Sequence, residues 1–223
     1  MKKNSIIKNL IYKDLKLAVH PATIIYFVLA AVMTLIPSYP RPLGFFYILI
    51  GVMITFSTDL AYKDREFCSI LPVAKRDCVR ARIISVCILE LVTLIVSIPI
   101  GCLGAVIGST VENEAGMNIN LTLYAIILLG YSLANIILIP GGYRKNFKTN
   151  VRAIFALGGY MVLTLLLENL VCRPMGGRSF LNGVTGRDFL MQLPLLAGAI
   201  IVFILVNLLT CRISESSFEK AEI

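Results

Sequence analysis

Apolar residues gather along the chain into six long blocks separated by short polar stretches: Val19 to Pro37, Leu43 to Leu60, Ile83 to Gly108, Ile119 to Ile139, Val151 to Val171 and Phe189 to Thr210. Each is close to the ~20 residues with which a helix crosses ~30 Å of hydrocarbon. Lipid offers a backbone no hydrogen bonds, so an isolated apolar segment of this length satisfies its own N–H and C=O groups only as a helix. The pattern predicts an all-α polytopic membrane protein with six transmembrane helices, a single transmembrane domain over residues 1–223. Ahead of the first block the period changes. At about 100° per residue, Ile6, Ile7, Leu10, Ile11, Leu15, Leu17 and Ala18 share one broad arc, and Asn9, Lys13 and Lys16 cluster opposite. This predicts an N-terminal amphipathic helix within residues 1–18, lying flat in the interface. Its lysines would meet anionic headgroups before the chain turns into the first span at His20-Pro21. A plain anchoring helix with no role in activity fits the same pattern.

The third block is the longest and, at 1.5 Å per residue, outruns the hydrocarbon core at roughly 39 Å. It must tilt, bend or protrude, and Pro99 supplies a cause for a kink, with Gly101 and Gly104 directly after it. Gly104 and Gly108 also form a small-xxx-small pair against which another helix could pack closely.

Composition agrees with the spans. The 223 residues are 57% hydrophobic and 15% charged, against roughly 45–50% and about 25% in soluble domains. The formal charge of +8 could by itself suggest a nucleic-acid partner, but the basic residues sit in short segments between apolar blocks. With Arg152 counted with the loop it adjoins, seventeen of the 21 Lys and Arg residues fall in the termini and in the loops 61–82 and 140–150. The positive-inside rule puts those segments in the cytoplasm, in a plasma-membrane protein with both termini inside. Arg41, Glu112, Glu114 and the Arg173 to Asp188 loop then face out. Interruption of the N-terminal apolar stretch by Lys8, Asn9, Lys13, Asp14 and Lys16, with no small-residue cleavage site after it, argues against a cleaved signal peptide.

Catalytic constellations are missing. No Gly-x-x-x-x-Gly-Lys-[Ser/Thr] occurs, so the chain has no P-loop and is not expected to be an ATPase or to bind a cofactor directly. The one histidine, His20, lies at a span boundary, and no Cys/His cluster has metal spacing. A serine nucleophile in a Gly-x-Ser-x-Gly setting is also lacking. Of the six cysteines, Cys68, Cys78 and Cys211 fall in or beside cytoplasmic segments and Cys87 within a span. Only Cys102 and Cys172 approach the outer side, so free thiols are expected. Three carboxylates, Asp59, Glu90 and Glu168, fall in or at the edge of apolar blocks. A charge there costs on the order of 2.5–3.5 kcal/mol, so each should face protein, water or a basic partner. Arg173 is the local candidate for Glu168, and an arginine from residues 80–82 for Glu90. Pairing that fixes packing and lining of a transport pathway both remain open for them.

Between the second and third blocks runs Asp59-Leu-Ala-Tyr62-Lys63-Asp64-Arg65-Glu66-Phe67-Cys-Ser-Ile-Leu71-Pro72-Val73-Ala-Lys75-Arg76-Asp77-Cys-Val79-Arg80-Ala81-Arg82. Alternating charges followed by Phe67, Ile70, Leu71 and helix-breaking Pro72 describe a short amphipathic helix, a turn and the basic start of the next span. Such a helix can seat in a groove of another protein. A solvated basic connector accounts for the composition equally well.

In this loop the chain resembles the permease subunits of type-2 ABC exporters, particularly the compact six-span group that includes membrane subunits of phenol-soluble modulin and lantibiotic exporters. The resemblance rests on Tyr62-Lys63-Asp64-Arg65-Glu66 at the exit of the second span, the Leu71-Pro72-Val73 turn and Val79-Arg80-Ala81-Arg82. It extends more loosely to the Leu-Ile-Tyr-Lys-Asp-Leu opening and the six spans; Ala74 departs from it, where a serine or threonine cap is expected. The resemblance implies that Tyr62 to Leu71 is a coupling helix docking on a separately encoded ATP-binding cassette ATPase, which holds the ATP and Mg. It implies two permease copies, identical or homologous, over two ATPase subunits, an elbow bearing on the same ATPase, and an Arg173 to Asp188 loop able to act as an outer gate. It also implies export, with amphipathic or antimicrobial and toxin-like peptides as the expected substrates. Two alternatives stand beside it. One is the membrane subunit of an energy-coupling vitamin uptake system, which would use an Ala-x-x-x-Ala contact such as Ala18 and Ala22, here interrupted by Pro21. The other is a peptide-binding immunity or scaffold protein that transports nothing.

Overall fold

The structure is a computed structural model that describes residues 3–36, 39–70, 72–107, 117–143, 149–173 and 179–220. Its elements are α1 (Lys3–Lys13), α2 (Pro21–Val32), α3 (Arg41–Gly44), α4 (Phe46–Ala61), α5 (Asp64–Ile70), α6 (Lys75–Ile107), α7 (Leu121–Gly142), α8 (Thr149–Cys172) and α9 (Gly186–Lys220).

The N-terminal segment and the first apolar block form a bent pair. α1 passes into a π-helical turn at Asp14–Ala18, and the chain then bends by 80° into α2 and a 3₁₀ turn at Met33–Leu35. The break has local causes. Pro21 sits at the first helical position, where a missing N–H costs nothing, and His20 Nδ1 accepts the Ala22 N–H at 3.1 Å. His20 is thus the cap of α2. Among the described residues, five helices are long and apolar enough to cross a membrane, or six if the bent pair counts as one span.

Two helices are longer than their apolar blocks. α6 begins at Lys75 rather than Ile83 and runs unbroken through Pro99, and α9 runs from Gly186 to Lys220, beyond both ends of the Phe189 to Thr210 block. Hydropathy marks what lipid covers; a helix continues past that limit wherever its polar turns find partners.

α7 is the central post. It packs along both α8 and α9 and is buried around most of its circumference, as its lack of a polar face anticipates. By contrast, α9 buries one stripe, Gln192, Ala199, Phe203, Asn207, Thr210, Ser214 and Phe218, and leaves Ile201, Ile204, Leu205 and Leu208 outward as a helix facing hydrocarbon does. Close crossings use glycine. A Cβ at Gly51 would lie 2.8 Å from Thr23 Cγ2, where α2 meets α4 and Thr23 Oγ1 donates to the Gly51 carbonyl at 3.1 Å. Gly104 is likewise covered by its own chain, with Leu35 Cα 3.1 Å from the place of a Cβ. The face of Gly104 expected to receive another helix is therefore filled by the 3₁₀ turn after α2; Gly108 lies outside the described residues.

Ion pairs and hydrogen bonds sort the loops into two ends. α1, α5, the start of α6, Tyr143 and the end of α9 meet at one. At the other meet α3, residues 117–120, the end of α8 and residues 180–188.

Candidate functional site

The first end is built around α5. After α4, Lys63 adopts a left-handed conformation (φ 55°), reversing the chain so that α5 starts at once, with the Phe67 N–H donating to the Lys63 carbonyl at 3.1 Å. Phe67 and Ile70 on α5 face outward, 55% and 82% exposed, as does Tyr62 in the turn before it, 82% exposed. Lys63 and Glu66 pair at 3.3 Å on the surface. Pro72 is exposed; Leu71 and the side chains of Asp64 and Arg65 lie outside the described residues. Across the turn, the Ala74 carbonyl accepts the Asp77 N–H at 2.8 Å, and the Asp77 carboxylate offers the first turn of α6 the negative charge that a helix start favours. The helix starts there although Ala74 has no capping side chain.

Directly behind α5 lies a buried charge cluster. Arg82 Nε donates to Asp14 Oδ2 at 3.0 Å, and Arg82 Nη1 donates to Asp59 Oδ2. Lys13 Nζ lies 3.4 Å from Asp14 Oδ1 and 3.6 Å from Cys68 Sγ. All three members of the Arg82 pairings are buried. One guanidinium therefore joins the π-helical turn after α1, the end of α4 and the start of α6, and Lys13 ties in the back of α5. The planar fork of arginine can serve two carboxylates at once. Two acidic and two basic groups leave the cluster without net charge. It borders a cavity of about 30 Å³ that Asp59, Cys68 and Cys78 also line.

Beside it, α9 clamps α6. Arg76 and Glu219 pair at 2.5 Å, Arg80 and Glu215 at 2.6 Å, and Lys75 sits 5.4 Å above the Phe218 ring, which in turn packs on Tyr143. Much of the basic charge in the largest loop is thus spent inside the molecule.

Glu90 is fully buried in the middle of α6, and its partner is not an arginine. Arg80 and Arg82 are held by Glu215, Asp14 and Asp59, while Asn135 Nδ2 on α7 donates to Glu90 Oε2 at 3.0 Å and to Asn207 Oδ1 on α9 at 3.1 Å. Three helices are joined there by neutral amides and one carboxyl, with Glu90 Oε1 and Asn135 Oδ1 left without hydrogen bonds.

At the other end, the predicted pairing of Glu168 with Arg173 is also replaced. Arg173 is exposed, and the positive charge acting on buried Glu168 comes from Arg41, which donates to the Met117 carbonyl. Arg41 reaches it because α3 is tucked into the bundle. The break between α3 and α4 at Phe45 frees carbonyls that two tyrosine hydroxyls take up, Tyr160 donating to Pro42 at 2.7 Å and Tyr131 to Phe45 at 3.3 Å. Gln192 fastens the loops at this end, accepting the Leu121 N–H at 3.1 Å and donating to the carbonyls of Phe180 and Gly183 at 2.7 and 2.9 Å. The second half of the Arg173 to Asp188 loop is therefore tied down, and residues 174–178 lie outside the described residues.

Of the three intramembrane carboxylates, only Asp59 borders the cavity; Glu90 and Glu168 are packed against protein. None of the six cysteines is in a disulfide. Among the described residues no group of three or more His, Cys, Asp and Glu side chains could hold a metal ion. Sequence reasoning missed Asp14, Asn135, Asn207 and Gln192. An amide inside an apolar block is a readable sign of an interhelical hydrogen bond, and Asn135 and Asn207 carried that sign.

A family described as ABC-2 family transporter protein matches residues 9–218. No curated protein and no solved structure matches the chain.

Proposed function

The chain belongs to the ABC-2 transporter family, as a multi-pass membrane subunit, and from that premise we propose that it is the permease of an ATP-driven exporter, coupled through α5 to a separate ATP-binding cassette subunit. The observation that carries the reading is the outward face that Phe67 and Ile70 on a short helix make with Tyr62 in the turn before it, flanked by charge. Apolar side chains so exposed on a polar loop fit a protein groove better than water. Tyr62 through Pro72 then form the coupling segment, with Lys63, Asp64, Arg65 and Glu66 matching charges on the ATPase. Since Lys13 and Arg82 connect the back of α5 to the elbow, α4 and α6, a push on α5 reaches three elements of the permease together.

On this reading the chain performs no hydrolysis; ATP and Mg belong to the partner. Two permease copies, most simply identical, stand over two ATPase subunits in the plasma membrane with their termini in the cytoplasm. The substrates are amphipathic peptides or similar membrane-partitioning molecules, a choice supported by the resemblance to peptide exporters and by short outer loops that offer no capture domain. The energy-coupling alternative loses its helix contact, because Ala18 ends the π-helical turn and Ala22 lies in α2, on two sides of the break.

The test is co-purification with a co-expressed ATP-binding cassette subunit. Phe67→Asp with Ile70→Asp, or charge reversal at Arg65 and Glu66, should weaken assembly or ATPase stimulation by roughly tenfold or more, as loss of a central anchor does. Unchanged assembly and turnover in both variants would remove α5 from the coupling role.

A further inference from the structure

Two cysteines meet across the turn that carries α5. Cys68 is on the buried side of α5 and Cys78 in the first turn of α6, with four residues before Lys75 completing the reversal between the helices. Cys68 and Cys78 line the same small cavity, close enough that each thiol acts electrostatically on the other. Lys13 Nζ donates to Cys68 Sγ at 3.6 Å, placing a positive charge where a thiolate would form. A cavity of about 30 Å³ has room for one or two waters, each needing ~10–15 Å³, and hydrogen peroxide is little larger. The other thiols are placed differently: Cys211 faces Glu215 at 3.4 Å, and Cys102 is exposed on α6.

We propose that Cys68 and Cys78 form a peroxide-reactive dithiol that closes to a disulfide across the α5–α6 turn. The Cys68 thiolate attacks one peroxide oxygen; the O–O bond breaks, and the departing hydroxide takes a proton to become water. Cys68 is then a sulfenic acid. Cys78, losing its proton, attacks the Cys68 sulfur, the S–S bond forms, and the second hydroxide leaves with that proton as water. Two thiols are oxidised, one peroxide is reduced to two waters, and no further reactant is needed. Thiols that line one small cavity have a short distance to close, and the turn at Pro72 between α5 and α6 can absorb it. In a reducing cytoplasm such a bond would be transient and sensing rather than structural.

The consequence for transport rests on the coupling role proposed for α5. A disulfide there fixes α5 to α6 and removes the freedom with which a docking helix could shift against its span. Oxidation then holds the permease uncoupled from its ATPase.

The experiment treats the purified full-length chain, in detergent and in complex with its co-expressed ATPase, with equimolar hydrogen peroxide, and maps thiols and cross-linked peptides by mass spectrometry. Expected are the loss of two of the six thiols, a Cys68–Cys78 linked peptide, reversal by dithiothreitol, and no such peptide in Cys68→Ser or Cys78→Ser. In the complex, peroxide should lower ATPase stimulation several-fold in the wild type and leave it unchanged in Cys78→Ser. A different disulfide, or Cys68 and Cys78 recovered as thiols or as separate sulfinic acids, overturns the dithiol site. A Cys68–Cys78 disulfide without effect on turnover, in a complex that the Phe67 and Ile70 substitutions do disrupt, overturns the regulatory step alone. Failure of those substitutions to disrupt the complex is the separate failure of the coupling reading.

Discussion

Arg82 alone joins two buried carboxylates, Asp14 and Asp59, that come from separate elements. Removing it strands Asp14 and Asp59, two buried carboxylates beside a cavity of only about 30 Å³, and breaking a buried ion pair from one side costs ~3–5 kcal/mol. Arg82→Met should therefore lower the unfolding midpoint in detergent sharply. The double variant with Asp59→Asn should recover most of the loss, because Lys13 and Asp14 remain paired and the cluster is again without net charge. A single variant within about 1 kcal/mol of the wild type would mean that water reaches the cluster. Half of this site was legible in the sequence. Asp59 and Arg82 stood out as charges at the edges of apolar blocks, whereas Asp14 looked like an interruption of an amphipathic arc. What assigns Asp14 its role is a π-helical turn, and an extra residue per turn leaves no mark on hydropathy. Glu90 was legible as a buried acid but not by partner: proximity in sequence favoured Arg80 or Arg82, and the fold had already committed both.

At the scale of elements, the six apolar blocks located the helices and understated two of them. The basic stretch Lys75 to Arg82 looked like loop because its neutralising groups, Glu215 and Glu219, lie at the far end of the chain. Pairing across such a distance in sequence cannot be inferred from charge order. The two pairs are not equal. Arg76–Glu219 is exposed on both sides, 58% and 44%, while Glu215 is only 15% exposed against Arg80. Exposed pairs are screened by water and contribute little, so Arg76→Glu should be nearly silent. Arg80→Glu should cost more, on the order of 1–2 kcal/mol, since it sets two carboxylates side by side in a half-buried place. Adding Glu215→Arg should restore most of that loss. A double-mutant cycle on chemical unfolding reads the coupling directly, and additivity of the two substitutions would show that the α6–α9 clamp carries no ionic contribution. The helix crossing at Gly51 was hidden for another reason: a glycine inside an apolar block has no pattern of its own until the helix that covers it is known.

The whole molecule divides its charge between two ends, and that division makes a claim about membrane side. Seventeen of 21 basic residues belong to segments whose described parts meet at the α5 end. Internal pairing neutralises Arg76, Arg80 and Arg82, yet it does not weaken the topological argument, because the retention of Lys and Arg on the cytoplasmic side acts during insertion, before these pairs exist. The remaining exposed ends can be probed at described positions. Val184 is 56% exposed at the Gln192 end and Ile70 is 82% exposed on α5. In a background with the six native cysteines replaced by serine or alanine, Val184→Cys should react with a membrane-impermeant maleimide in intact cells. Ile70→Cys should react only after permeabilisation, and binding of the ATPase should protect it. The reverse labelling would put α5 outside, where no ATP is available to a partner, and would end the exporter reading together with the topology. Labelling of both positions in intact cells would mean two orientations of the chain in the membrane, which the strength of the basic bias forbids.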